Sequence, residues 1–443
     1  MNTRNYSIRI LFLTLFCSLF GLSTQAQDTL RVRQHLNQLC APAMHGRGYA
    51  YRGDSIAADF LRDQFRLMGI QPYLSDDYFH RYTFDVYAME GNVEAVLNKK
   101  ALTPWEDFSL APYSEPAHHT FTLLPVSADI VLDGAKLQDF CDKHYKIMKS
   151  CLLYLDMTAV TDKEQAKKLS RFFYSLSLFN GKYPFRGFAV GVEEIPVWSF
   201  APAHKECGYV LTYLKHNLVP KKGGTLHLSY DNRFIKDYCT QNVCATVPGT
   251  SAPDSIVIIG GHYDHLGQMG SDIMFPGCHD NASGTATVLE MAHYFKEHPL
   301  RYTTIFVLFS GEEAGLMGSS AFVRDSLLDF SKVKLMLNLD LLCGGDEGFT
   351  IVNATSDNTK EFFNSLVEKN DTTHWVAKVK PRANAANSDH YPFSAKGMPA
   401  VFLYTMGGRT GGYHAPSDLP ENASLSAFTG IFNLLIYGLE NVK

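Results

Sequence analysis

No low-complexity tract and no internal repeat interrupts this 443-residue chain, and no stripe of lysine and arginine runs along it. The first two absences leave a globular composition, with 46% hydrophobic, 19% charged and 13% aromatic residues. A chain of this length favours two domains, or one large domain with an insertion. The third absence removes the electrostatic reason to expect nucleic acid as a partner. Cysteine is scattered: Cys40, Cys141, Cys151, Cys207, Cys239, Cys244, Cys278 and Cys343 have the spacing of neither a disulfide framework nor a zinc ribbon. Several lie in apolar runs, where a buried thiol is ordinary. Cys239 and Cys244 are close enough in sequence to pair, but their alternating context reads equally well as strand, and no pairing is assigned.

Past residue 26 no apolar run is long enough to span a bilayer. Before it, Arg4 and Arg9 precede the apolar residues 10–22, and Thr24-Gln25-Ala26 has small residues at both ends. That order reads as an export signal cleaved after Ala26. The bulky Phe16 ahead of Cys17 argues against lipid attachment there. The expected destination is the periplasm or the cell exterior, with no stable membrane insertion after cleavage. Without residues 1–26, which carry two arginines and no acid, 38 basic residues face 45 acidic ones, a balance of −7.

Helical spacing predicts helices over residues 30–39 and 54–68, the second with Ile56, Phe60, Leu61, Phe65 and Met68 on one face and Gly69 as its stop. Between them lies the loop Met44-His45-Gly46-Arg47-Gly48. From about residue 91 to 230 the texture changes to short alternating pieces, aromatic clusters such as Phe172-Phe173-Tyr174, and a strand signal at Ile195-Pro196-Val197-Trp198. From about residue 234 strands alternate with helices. Strands are predicted at 255–260, 303–309, 333–339 and 399–404, and helices at 283–296, 314–323, 359–369 and 425–439. This is an α/β fold: a mixed, mostly parallel sheet flanked by helices on both faces, with an inserted β-rich or mixed domain. The boundaries are a signal at 1–26, a first segment of the main domain at 27–90, an insertion at 91–232 and the remainder at 233–443.

The polar residues fall where such a sheet places ligands. GGHYDHLG (His262, Asp264) follows one strand, SGEEAG (Glu312, Glu313) follows the next, and Asp340 of LMLNLD ends a third. Each is at a strand's carboxyl end, beside the crevice of an open α/β sheet. HDNASG (Asp280) opens a helix, and YHAPSD (Tyr413, His414, Asp418) follows the strand at 399–404. Singly, each has an ordinary structural explanation, such as a helix cap or compensation of a helix dipole. Five in one order, most of them at strand ends, point instead to a two-metal hydrolase. Imidazole nitrogen with carboxylate oxygen suits zinc. Two ions about 3.5–4 Å apart need a bridging carboxylate and share a water nucleophile.

The series H-x-D, D-N-x-S-G, G-E-E-x-G, N-x-D and Y-H-x-x-x-D resembles the co-catalytic di-zinc aminopeptidases of the aminopeptidase Y and bacterial leucyl aminopeptidase type. The resemblance is specific over residues 242–443 and weaker over 30–73, where the Gly46-Arg47 element lies. The middle region is similar to a protease-associated domain through Ile195-Pro196-Val197. Carried over, the resemblance implies two zinc ions per chain, one on His262, Asp280 and Asp340, the other on Asp280, Glu313 and His414, with Asp280 bridging. It implies that Asp264 fixes the tautomer of His262, that Glu312 is the general base, and that Tyr413 stabilises the tetrahedral oxyanion. Ser388-Asp389-His390-Tyr391-Pro392-Phe393 matches a further segment of the family, with a positional role. His265 and His279 lie inside the motifs but off the ligand positions, as loop or supporting residues. His118, His119 and His204 have no paired ligands, and Cys278 reads as a packed thiol.

The implied substrates are peptides, cleaved after their N-terminal residue. A glutaminyl cyclase-type acyltransferase with one zinc shares the fold, and residues 338–342 (NLDLL) are faintly similar to it. Carboxypeptidase or dipeptidase specificity is a nearer rival. A binding protein without catalysis would be expected to lose ligands or the base, and this chain keeps all of them.

Overall fold

Alternating apolar residues on the longest strands divide the main sheet into two buried faces. In the computed structural model, which describes residues 28–74, 77–178, 182–200, 206–408 and 412–443, nine strands make this sheet. They are β1 (Gln71–Pro72), β2 (Phe79–Ala88), β3 (Arg233–Val247), β4 (Ala252–His262), β5 (Tyr302–Phe309), β6 (Val333–Leu339), β7 (Gly348–Val352), β8 (Val379–Arg382) and β9 (Ala400–Met406). Their order is β1-β3-β5-β4-β6-β9-β7-β8, with β2 also paired to β3. The four central strands β5, β4, β6 and β9 run parallel, while β3 on one side and β7 on the other join them antiparallel, and β1 and β2 pair antiparallel with β3. The sheet is therefore mixed, and its parallel part carries the strand ends of interest.

Successive residues of a strand point to opposite faces, and the core obeys this. Val257 and Ile259 of β4, Phe306 and Leu308 of β5, and Leu335 and Leu337 of β6 pack on one face. Ile258, Ile305, Val307 and Met336 pack on the other. The first face is covered by five helices: α1 (Thr29–Leu39), α2 (Gly53–Leu67), α3 (Ser283–Glu297), α5 (Lys360–Thr373) and α7 (Phe428–Glu440). The second is covered by α4 (Met317–Arg324) and α6 (His390–Ala395), through Phe322, Val323 and Phe393. Asp28 caps α1 by accepting from the amides of Leu30 and Arg31. Gly69, at φ +68°, ends α2 where a left-handed residue closes the last turn.

Three expectations need correction. Ile56 is exposed at 38%, because Ala57, Ala58, Leu61 and Phe65 already fill the buried face of α2. α4 begins at Met317 rather than 314, since Gly315 and Leu316 adopt positive φ and make a turn first. Phe172-Phe173-Tyr174 lies in a helix, Lys163–Leu176, which buries Leu169, Phe173 and Leu176 at helical spacing.

A second, eight-stranded sheet draws all its strands from Glu94 to Tyr230. Ala117–Pro125, Cys151–Asp156, Gly187–Val192 and Val210–Lys215 form its parallel middle. The helix Lys163–Leu176 and its neighbour Gly134–Lys143 bury Phe173 and Leu137 against one of its faces. Residues 195–198, read as a strand signal from sequence, form no ladder. Pro196 has no amide hydrogen to offer one, and the segment instead runs as a strap. Trp198 anchors it by donating from Nε1 to Leu110 O at 2.6 Å and stacking on Phe275 of the main domain at 4.9 Å.

Arg47 ties the main domain's loops together from inside. It is fully buried, and its guanidinium donates to the carbonyls of Tyr263, Leu39, Pro276 and Gly277 at 2.6–2.9 Å. Truncation strands four buried acceptors. Arg47→Ala is expected to cost on the order of 4 kcal/mol in a urea unfolding experiment, and Arg47→Lys, lacking the planar fork, to recover only part of it.

The described cysteines are all free, with Cys239 exposed and Cys244 buried. Among the described residues no helix is long and apolar enough to cross a membrane. The signal expected at residues 1–26 lies outside them.

Candidate metal centre

The carboxyl ends of β4, β5 and β6 converge on one buried cluster. His262 is the last residue of β4, and its Nε2 lies 3.3 Å from Asp280 Oδ1 and 3.3 Å from Asp340 Oδ1. Its Nδ1 lies 3.1 Å from the main-chain oxygen of Asp264 and 3.6 Å from that residue's Oδ1. The nearer partner is thus the backbone carbonyl, with the carboxylate expected from sequence a little farther off. An Nδ1–H donated there leaves the Nε2 lone pair facing Asp280 and Asp340. The Asp264 carboxylate has other work: it accepts from Tyr49 Oη at 3.2 Å and from the Glu312 amide at 3.2 Å. It thereby ties the end of β4 to the turn after β5.

That turn, opened by Gly311 at φ +71°, sends its two glutamates in different directions. Glu313 Oε2 lies 3.3 Å from His414 Nε2, which is also 3.1 Å from Asp280 Oδ2. Glu312 Oε2 is 4.0 Å from His262 Nε2, alongside the cluster rather than within it. Among the described residues, Asp280 is the one side chain with an oxygen toward each half. Its loop is pinned from behind by Asp418, which accepts from the amides of His279 and Asp280 at 2.9 and 3.2 Å. Asp340 is held likewise: Ser388 Oγ donates to its Oδ2 at 2.7 Å and accepts from Asn338 Nδ2 at 2.8 Å.

Electrostatics separates the two glutamates further. Burial, and the like charges of Glu313, Asp389 and Asp340, push the Glu312 carboxyl well above its ordinary range despite His262 nearby. Burial and Asp280 also press upward on Glu313, but His414 and His265 outweigh them and hold it at about 2. Asp280 is held well below its ordinary range, because His262 and His414 overcome its burial. Asp389, fully buried, is pushed up to about 7, chiefly by desolvation.

The donors suit metal ions. Donors about 2.0–2.2 Å from a tetrahedral ion lie roughly 3.3–3.6 Å apart, close to the separations across His262, Asp280 and Asp340 and across His414, Asp280 and Glu313. Asp340 Oδ1 and His414 Nε2 are buried and make no hydrogen bond, though both point into the cluster. Orphaned buried atoms of this kind require a partner, and a cation shared among carboxylates supplies one.

Of two further neighbours, Ser199 was not legible in the sequence, and His265 was read there as a loop or supporting residue. Ser199 Oγ, from the strap, lies 3.0 Å from His414 Nδ1, and the Trp198 amide reaches His414 O at 3.4 Å. The insertion thus touches the centre, although its sequence shows no catalytic constellation. His265 Nδ1 lies 2.7 Å from Glu313 Oε1, and His265, Asp280 and Glu313 group as possible ligands of one ion. The second histidine of HYDHLG was the only signal for it.

The other singled-out residues sit as follows. Tyr413 is exposed at 47% and stacks on His414 with ring centres 3.9 Å apart. His279 accepts from the Cys343 amide at 3.2 Å, and Cys278 is a buried thiol. His390 Nε2 lies 3.2 Å from Asn384 Oδ1, away from the cluster's donors. His118 pairs with Asp231 at the surface, His119 packs edge-on against Phe121, and His204 lies outside the described residues.

Residues 242–438 match the family model described as peptidase family M28. A probable leucine aminopeptidase of Trichophyton verrucosum is 33% identical over 185 residues, which are 39% of this chain and 47% of that protein. The chain therefore spans about half the length of the curated relatives it matches. A zinc aminopeptidase from Bacillus subtilis superposes with a TM-score of 0.67 at 17% identity, over 93% of this chain and 94% of the other. A peptidase M28 precursor from Shewanella amazonensis gives 0.69 at 16% identity, over 94% and 93%. At such identities the structural likeness speaks for the fold, and it extends through the second sheet. Sequence and site point the same way over the segment that bears the cluster, whose residues 242–438 are similar to peptidase family M28.

Proposed function

We propose that the chain is an exported zinc-dependent aminopeptidase that holds two zinc ions and removes N-terminal residues from peptides. The observation that carries this reading is the division of labour around Asp280. One carboxylate faces two separate donor sets, and Glu312 stands beside them without joining either. His262, Asp280 and Asp340 would hold one ion, and Asp280, Glu313 and His414 the other. Bound there, zinc would supply Lewis acidity toward the scissile carbonyl and lower the pKa of water.

The chain's own groups do the rest. Glu312 takes a proton from the attacking water and hands it to the leaving amine. A carboxyl whose pKa is raised by burial keeps that proton long enough to return it. Tyr413, stacked on His414 at the solvent side, offers its hydroxyl to the developing oxyanion. Asp264 and Ser388 hold the Glu312 turn and Asp340 in place. Export rests on Arg4, Arg9 and the apolar residues 10–22.

Digestion of a peptide library, read by mass spectrometry before and after chelation, tests the activity. The expected result is loss of single N-terminal residues, abolished by chelator and restored by zinc. Loss of C-terminal residues, release of dipeptides, cyclisation of N-terminal glutamine, or activity indifferent to chelation would overturn the aminopeptidase reading.

A further inference from the structure

Glu313 is flanked by two imidazoles, and they meet different oxygens. Its Oε2 lies 3.3 Å from His414 Nε2, a separation suited to two donors around one ion, whereas its Oε1 lies 2.7 Å from His265 Nδ1, a hydrogen-bond distance. We propose that His265 is the positioning residue of the second ion: its Nδ1–H holds Glu313 Oε1, so that Oε2 stays turned toward Asp280 and His414. This rests on the two-ion reading above.

The fold builds a place for that ring. His265 is fully buried, and its Nε2 has no hydrogen-bond partner. One nitrogen therefore does all its polar work. The ring lies over Gly277, where φ is +59° and an added Cβ would come within 2.4 Å of His265 Cδ2 and 2.5 Å of Cγ. Glycine is needed there both for the backbone and for the room. Arg47 fixes the ring's surroundings from behind: its guanidinium binds the carbonyls of Pro276 and Gly277, and its own carbonyl accepts from the His265 amide at 3.2 Å. The ring also meets His414 edge-on, with centres 5.7 Å apart. So held, His265 removes one of the two ways Glu313 could turn, which is what an outer partner does for a ligating carboxylate.

The test is metal binding by the stripped full-length protein, followed by calorimetry and by the visible absorption of cobalt(II) as probe. Wild type is expected to bind two ions in separable events, with Asp340→Ala deleting one of them and so assigning it. His265→Ala is expected to weaken only the other event, by about 10–100-fold, the usual effect of losing such a partner. His265→Asn, which keeps an N–H near the Nδ1 position, is expected to recover most of the loss. Unchanged affinities in His265→Ala, an equal loss at both sites, or no recovery with Asn would overturn the proposal while leaving the two-ion reading intact. Fewer than two ions on the wild type would overturn both.

Discussion

Glu312→Gln is expected to lower the turnover of an N-terminal amino-acid anilide by about 10²–10⁴-fold, the usual contribution of a positioned acid–base group, while leaving the proposed two zinc ions bound. The two halves of this result come from different parts of the geometry. Glutamine keeps the size of the side chain and loses only the ability to take a proton, so the proton transfer is removed with little else disturbed. The zinc is retained because Glu312 Oε2 stands 4.0 Å from His262 Nε2, beside the donors and not among them. The backbone of residue 312 is also unaffected, since its amide donates to Asp264 whatever the side chain. Steady-state kinetics with parallel metal analysis checks the claim. A variant with near wild-type kcat would remove Glu312 from the proton path, and one that had lost zinc would make it a ligand. KM should change little, because the lost interaction belongs to the transition state.

Asp280→Ala is expected to produce a larger failure, the loss of both proposed ions and with them all activity above the chelated background. Every other ligand serves one half of the cluster. Asp280 alone presents Oδ1 to His262 and Oδ2 to His414. Asp340→Ala should therefore leave one ion bound where Asp280→Ala leaves none, and metal content after dialysis separates the two. Asp280→Asn, which keeps one oxygen, is expected to fall between them. The fold should survive these changes, since the loop is held through main-chain amides of His279 and Asp280 by Asp418. Thermal melting of the three variants, compared in the metal-free state, checks that point. Retention of two ions by Asp280→Ala would dissolve the bridging arrangement altogether.

The core strands were legible because burial on both faces leaves a plain apolar run. The segment at 333–339 coincides with β6, and those at 255–260 and 303–309 fall within β4 and β5. Their ends were legible too, since a polar residue directly after such a run is conspicuous, which is how His262, Glu312, Glu313 and Asp340 stood out. The second sheet was harder. Phe172-Phe173-Tyr174 carries local β preference, yet the wider spacing of Leu169, Phe173 and Leu176 makes a helix. Ile195-Pro196-Val197-Trp198 has strand-like residues but no ladder to join, and its fate was decided by Trp198 finding Phe275 across the molecule. Ser199 was illegible, and His265 legible only as a loop or supporting residue without its partner, for a different reason. A hydroxyl and a spare imidazole acquire their roles only when a distant segment arrives beside them, 215 residues away in the chain for Ser199 and His414 and 48 for His265 and Glu313.

The contact between Ser199 and His414 makes the strap and the centre thermodynamically reciprocal. A hydroxyl that orients one imidazole nitrogen sets the direction of the other, so seating the strap would favour loading of the proposed ion on His414. Linkage then requires the converse, that loading favours the seated strap by the same free energy. On the two-ion reading proposed above, metal affinity would be partly a property of a segment 215 residues away from the ligand it steadies.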